Sequence, residues 1–166
     1  MVKIKKMFNY FETFIASIAF LIMLLVVIVN VLSRIFFNNS FGFTEEIAFI
    51  CFTYSVFFGT VLLFKTHALI AIDFVVEKLP PKFHKFANIL NFSILICANA
   101  YFLYLSFTLT LDGWERPTSF LGIPYSFIYL AALIAFALML AYSISFLVRI
   151  IRGEDVVTSV SPENQF

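Results

Sequence analysis

Four uncharged, apolar stretches dominate the pattern of this chain, and they cover residues 13–33, 47–64, 86–111 and 117–148. The last stretch contains Pro117, Gly122 and Pro124 near its start, so its helix is predicted at residues 125–148. A helix that crosses a bilayer needs about 20 residues at about 1.5 Å each. Residues 21–29 (LIMLLVVIV) show no alternation of apolar and polar positions, which excludes a barrel strand. The pattern therefore predicts an all-α membrane protein with four transmembrane helices.

The segments outside these spans predict one further helix and a tail. Residues 67–79 place most polar side chains on one side at helical spacing, which predicts a short amphipathic helix in the membrane interface. His67 and Asp73 lie on its polar side, but two ligands are too few for a metal site, and none is expected. We expect a single four-helix membrane domain over residues 1–152, followed by a polar tail at residues 153–166.

The composition agrees with a membrane protein. Of 166 residues, 62% are hydrophobic and 13% are charged, and the mean hydropathy is +1.00. Soluble domains are about 45–50% apolar and about 25% charged. These values and a net charge of +1 exclude a soluble enzyme, a disordered protein and a nucleic-acid-binding protein. Cys51 and Cys97 form no CxxC motif, so they indicate neither a disulfide framework nor a zinc site.

The positive charges are distributed unevenly between the two sides of the membrane. Nine lysines and arginines lie in the N-terminal segment, the segment between spans two and three, and the tail, which share one side. Only Arg34 and Arg116 lie on the other side. Because short cytoplasmic segments are enriched in lysine and arginine, both termini are predicted to be cytoplasmic.

None of the four predicted spans contains a charged residue or a histidine. A protein that moves solutes on its own usually carries ionisable residues within its spans, and a haem-binding subunit needs axial ligands there. We therefore expect a supporting subunit that is not an enzyme and binds no cofactor. Two alternatives stay open: a self-sufficient small homo-oligomeric transporter or channel, and the membrane anchor of a redox enzyme.

Polar residues of the third span share one helical face. At 100° per residue they fall within about 100° of arc, and they are Asn88, Asn91, Asn99, Ser106 and Thr110. This face is either a packing surface between helices or a hydrophilic path. Small polar residues commonly make contacts between membrane helices, which favours packing.

The fourth span carries two pairs of small residues four positions apart, Ala131/Ala135 and Ala137/Ala141. This spacing permits close approach of a neighbouring helix. Such pairs also occur often by chance, so the spacing alone is a weak signal.

Charged residues flank the connection between the first two spans. Arg34 ends the first span, and Glu45 and Glu46 open the second on the same side of the membrane. A charge at the hydrocarbon edge is less costly when it is paired, so we expect Arg34 to pair with Glu45 or Glu46. Independent solvation of these charges is the alternative. Thr44 is predicted to be the N-cap of the second helix.

These residues together form a recognisable pattern, made of Arg34, the Glu45–Glu46 pair, Lys65-Thr66-His67, Asp73, Leu79-Pro80, and Gly122-Ile123-Pro124-Tyr125. The pattern resembles the small membrane subunit (DctQ-type) of tripartite ATP-independent periplasmic (TRAP) transporters. The resemblance covers roughly residues 10–152, and its most specific part is residues 34–80.

The resemblance implies a bacterial inner-membrane protein that partners a large multi-span membrane subunit and a periplasmic substrate-binding protein. In that family the large subunit carries the sodium and solute sites, so sodium is expected there and not on this chain. The small subunit extends the stationary scaffold. The implied process is sodium-gradient-driven uptake of an organic acid of the C4-dicarboxylate or sialic acid class.

The resemblance also implies roles for individual residues, none of them catalytic. Structural or interface positions are Arg34, Glu45, Glu46, His67 and Asp73. The outer loops would dock the periplasmic partner through Asn38, Asn39, Phe43, Asp112, Trp114, Glu115 and Arg116.

Overall fold

The computed structural model describes residues 2–37, 41–65 and 81–152, and it is helical through all four apolar stretches. The helices are α1 (Val2–Phe37), α2 (Gly42–Lys65), α3 (Pro81–Asp112) and α4 (Ser126–Ile151). Each is long and apolar enough to cross a membrane. The predicted all-α fold with four transmembrane helices is confirmed. The predicted interfacial helix at residues 67–79 and the tail at residues 153–166 lie outside the described residues.

The helices extend beyond the apolar stretches that predict them. The first begins at Val2 rather than at residue 13, and the third begins at Pro81 rather than at residue 86. Charged residues set the edge of the hydrocarbon but do not end a helix, because the backbone hydrogen bonds continue into the polar interface. Pro81 is compatible with a first helical position, where the missing N–H has no intrahelical partner to lose.

The four helices pack in a row in the order α1, α2, α4, α3. Among the described residues, extended contacts join α1 to α2, α2 to α4, and α4 to α3. The apolar core lies between the two central helices, where Val61 of α2 and Ala135 of α4 are fully buried. Both outer helices therefore expose large apolar surface, such as Leu21 of α1 at 59% and Tyr101 of α3 at 63%.

The two pairs of small residues on α4 differ in burial. Ala131 and Ala135 have no exposed surface, whereas Ala137 and Ala141 are exposed. Both pairs have the same spacing in the sequence, so the difference depends on which face of α4 meets the other helices. Close approach through the first pair agrees with the expectation for small residues in membrane helices.

The polar face of α3 meets α4 over part of its length. Asn99 and Ser106 are buried, and the Asn99 side-chain amide donates to Ser143 Oγ of α4 at 3.5 Å. The Ser126 hydroxyl at the start of α4 donates to the carbonyl of Thr110. Asn88 and Asn91 are half-buried. These contacts favour the interpretation of this face as a packing surface within the chain.

Candidate functional site

A buried carboxylate joins three helices on the side of the bundle where α1 begins and α4 ends. Glu12 of α1 has 1% exposure, and its Oε2 lies 3.1 Å from the Lys65 ammonium at the end of α2. Its Oε1 accepts a 2.7 Å hydrogen bond from the hydroxyl of Tyr142 on α4. The Lys65 ammonium also lies 5.1 Å from the centre of the Tyr142 ring, within the range of a cation–π contact. We name Glu12, Lys65 and Tyr142 the Glu12 cluster.

The Glu12 cluster links α1, α2 and α4 through side-chain contacts. A buried ion pair is weak evidence for net stability, but removal of one partner leaves an uncompensated buried charge. In the sequence, Glu12 and Lys65 mark the borders of two spans, and no pairing between them is predicted. The available signal was their position, because the start of the first span and the end of the second lie on the same side of a membrane.

At the opposite end, the segment between α3 and α4 forms a short hairpin. A 3₁₀ turn at Gly113–Glu115 ends α3, and Pro117 and Pro124 then form an isolated antiparallel bridge. The backbone N–H of Thr118 donates to the Ile123 carbonyl at 2.9 Å, and the Thr118 hydroxyl accepts the Ile123 N–H at 3.1 Å. The turn closes through Gly122, whose φ of +66° lies in the left-handed region that favours glycine.

A second carboxylate binds the tip of this hairpin. Glu46, in the first turns of α2, accepts the backbone N–H of Phe120 at 2.8 Å and that of Leu121 at 2.9 Å, one on each carboxylate oxygen. The Phe120 ring packs on Gly42 so closely that a Cβ atom there would overlap it. We name Gly42, Glu46, Phe120 and Leu121 the Glu46 cluster. It ties the α3–α4 connection to the start of α2.

This geometry corrects two expectations for the start of α2. Arg34 forms no ion pair with Glu45 or Glu46 in the described part of the chain, and the Glu46 carboxylate binds the hairpin backbone instead. The two N–H groups of a tight turn have no ladder partners, so a carboxylate within reach satisfies both. Thr44 is not the N-cap, because α2 already begins at Gly42 and the Thr44 hydroxyl donates to the carbonyl of Phe41.

The neighbouring glutamate is in a different situation. Glu45 is exposed, and no hydrogen bond or ion pair joins it to another described residue. It lines a cleft of about 340 Å³ between α2, the hairpin and the start of α4, together with Glu46, Phe49, Ser119 and Tyr125. The sequence offers no signal that separates these adjacent glutamates.

The residues predicted to dock a partner are only partly described. Phe43 and Trp114 lie on the side of the bundle that carries the hairpin, and they are 45% and 67% exposed. The remaining described members are also exposed there, namely Asp112, Glu115 and Arg116. Asn38, Asn39, His67 and Asp73 lie outside the described residues. The docking and interface roles of this whole set stay predictions.

Comparison with known proteins gives consistent matches. A family model described as "Tripartite ATP-independent periplasmic transporters, DctQ component" matches residues 23–153. A TRAP transporter small permease protein of Haemophilus influenzae is 30% identical over 133 residues, which covers 80% of this chain and 81% of the relative. A second protein of the same description and organism is 33% identical over 142 residues, which covers 80% of this chain and 85% of the relative.

Proposed function

We propose that this chain is the stationary scaffold subunit of a sodium-driven importer. The chain belongs to the DctQ-component family of tripartite ATP-independent periplasmic transporters. Membership makes it a multi-pass membrane component of a TRAP transporter and indicates a non-enzymatic role. In the proposal a large multi-span subunit binds the sodium ions and moves the solute. A periplasmic binding protein delivers that solute, an organic acid of the C4-dicarboxylate or sialic acid class.

One structural observation supports a scaffold over a transporter in its own right. In the part of the chain that the structure describes, the buried charged residue, Glu12, is bonded to Lys65 and Tyr142 of the same chain. A carboxylate with a largely covered lysine and a tyrosine hydroxyl as partners links α1, α2 and α4. It offers no free group for a passing solute.

The proposed orientation places both termini in the cytoplasm of a bacterial cell and the hairpin end in the periplasm. Nine of eleven positive residues then face the cytoplasm, as the positive-inside tendency requires. The Glu46 cluster and the exposed Trp114 would face the periplasmic binding protein.

Co-purification tests the assembly directly. The chain is co-expressed with the large membrane subunit of the same transporter, and an affinity tag is placed on this chain only. We expect the untagged large subunit to be retained through size-exclusion chromatography in equimolar amount. An unrelated four-span protein with the same tag serves as the control. Elution of this chain as a homo-oligomer, with the large subunit absent, would contradict the proposal and favour a self-sufficient transporter or channel.

A further inference from the structure

We infer that Glu46 is a positioning residue for recognition of the periplasmic binding protein, because it holds the tip of the α3–α4 hairpin in place on α2. The inference rests on the proposed function for the orientation of the chain and for the identity of the partner. It adds a role for one of two adjacent glutamates that the sequence does not distinguish.

The Glu46 carboxylate binds the backbone of the hairpin tip. Each of its oxygens accepts one backbone N–H from consecutive residues of the turn, Phe120 at 2.8 Å and Leu121 at 2.9 Å. Hydrogen bonds to an ionised acceptor are about twice as strong as neutral ones. Two such bonds from adjacent peptide groups fix both the position and the orientation of the turn relative to α2.

A second contact joins the same turn to α2. The ring of Phe120 lies against the backbone of Gly42, where there is no space for a Cβ atom. Glu46 thus holds the backbone of the turn, and Gly42 contacts the Phe120 side chain of the turn. These two residues are four positions apart, one helical turn, so α2 presents both on one face.

The hairpin also has hydrogen bonds of its own. Bonds within the hairpin join Thr118 to Ile123 and Arg116 to Tyr125. Its shape is therefore largely set by its own residues, while its placement at the tip depends on Glu46 and Gly42. Two turns further along α2 from Glu46, the Tyr54 hydroxyl donates to the Phe127 carbonyl of α4 at 2.8 Å. That bond keeps the two helices in register when the tip is released.

The position of the hairpin tip affects how a partner recognises it. The hairpin has non-helical backbone and lies on the side of the membrane assigned to the periplasm. Its Ser119 and Leu121 side chains are exposed. A transient partner binds most tightly to a surface that already has its bound shape, because less conformational entropy is lost. A turn anchored by Glu46 meets that requirement, and a released turn does not. The occupant we assign to this surface is the binding protein.

The test measures binding of the fluorescently labelled binding protein to the complex of both membrane subunits in nanodiscs. We expect Glu46→Gln to raise the dissociation constant by about tenfold, as loss of about 1.4 kcal/mol would. Gly42→Ala, which disturbs the same turn from its other side, should act in the same direction. Sodium-driven uptake at saturating binding protein should stay close to wild type for both variants, since assembly and the solute pathway are unchanged.

Matched controls come from neighbouring positions. Glu45→Gln removes the adjacent carboxylate, which has no bond to a described residue, and should leave the dissociation constant unchanged. Gly59→Ala adds a methyl group where nothing lies within 4 Å and controls for Gly42→Ala.

Three results would overturn the inference. The first is equal binding by the Glu46→Gln, Glu45→Gln and wild-type complexes, which is expected if the hairpin contacts lipid headgroups only. The second is a lower maximal uptake with an unchanged dissociation constant, which would give Glu46 a purely structural role. The third applies if the Glu46→Gln variant does not assemble with the large subunit, and it is a wild-type dissociation constant for the Gly42→Ala variant. A wild-type complex that does not bind the binding protein at all would instead contradict the proposed function itself.

Discussion

The two ends of this membrane protein each use one carboxylate, but they use it in different ways. Glu12 is almost fully buried and bonds the side chains of Lys65 and Tyr142 from two other helices. Glu46 is half-buried and accepts the backbone N–H groups of two consecutive turn residues. Side-chain partners make the first cluster dependent on three particular residues. Backbone partners make the Glu46 contact depend on the shape of the turn, and the Phe120 ring adds one side-chain contact to Gly42.

Glu12→Ala should have the largest effect on stability. It leaves the Lys65 ammonium, whose side chain is only 12% exposed, without its counter-charge. We expect the free energy of unfolding in detergent to fall by about 3–5 kcal/mol. Chemical unfolding followed by circular dichroism measures this. The double variant Glu12→Ala/Lys65→Met should recover part of this loss. If its loss instead equals the sum of the losses in the single variants Glu12→Ala and Lys65→Met, the two residues are not a coupled pair.

Tyr142→Phe should have the second largest effect, since it removes one hydrogen bond to the buried Glu12 carboxylate and keeps the ion pair. Hydrogen bonds to charged groups contribute about 1.5–3 kcal/mol, and we expect a loss in that range. Tyr104→Phe on α3, where the ring is 67% exposed, is the control and should change little. Equal losses in both variants would show that the Tyr142 hydroxyl adds nothing to the Glu12 cluster.

Gly42→Ala should have a moderate effect confined to the hairpin end. The new Cβ atom would displace the Phe120 ring, and overpacking of this kind costs about 1–3 kcal/mol. The ring can partly relieve the overlap by rotation, so we expect the lower part of that range in thermal unfolding. Gly59→Ala should be neutral or slightly stabilising, because alanine has the higher helix propensity. The prediction fails if both variants unfold at the wild-type temperature.

Glu46→Gln should have the smallest global effect and a clear local one. The amide hydrogens of Phe120 and Leu121 should exchange with solvent about tenfold faster, as loss of about 1.4 kcal/mol of local protection would produce. Exchange at the Glu12 cluster should not change. Hydrogen–deuterium exchange with mass spectrometry resolves the hairpin peptide, and Glu45→Gln provides the matched control. Equal exchange in the three proteins would mean that the carboxylate does not hold the turn.

The fold could be predicted from the sequence because its signal is large and local. A charged residue in the centre of a membrane helix costs about 2.5–3.5 kcal/mol, so the uncharged stretches locate all four spans. The same rule places helix ends poorly, since it marks the hydrocarbon edge and not the last helical bond. For this reason α1 and α3 begin earlier than expected.

The two clusters could not be predicted in the same way. The expected partner of Glu46 was Arg34, because opposite charges are visible in a sequence while unpaired N–H groups of a turn are not. The pairing of Glu12 with Tyr142 depends on the order of helices in the row, which hydropathy does not specify. Likewise, Ala131/Ala135 and Ala137/Ala141 have the same spacing, and only the packing of α4 buries the first pair.

Uptake into liposomes tests the central claim most directly, that this chain supports a transport pathway carried by another subunit. Labelled succinate and labelled sialic acid are the solutes, under an inward sodium gradient. We predict uptake of one of them with this chain, the large subunit and the binding protein together, and none with this chain alone. Sodium-driven uptake by liposomes that contain only this chain would contradict the scaffold role.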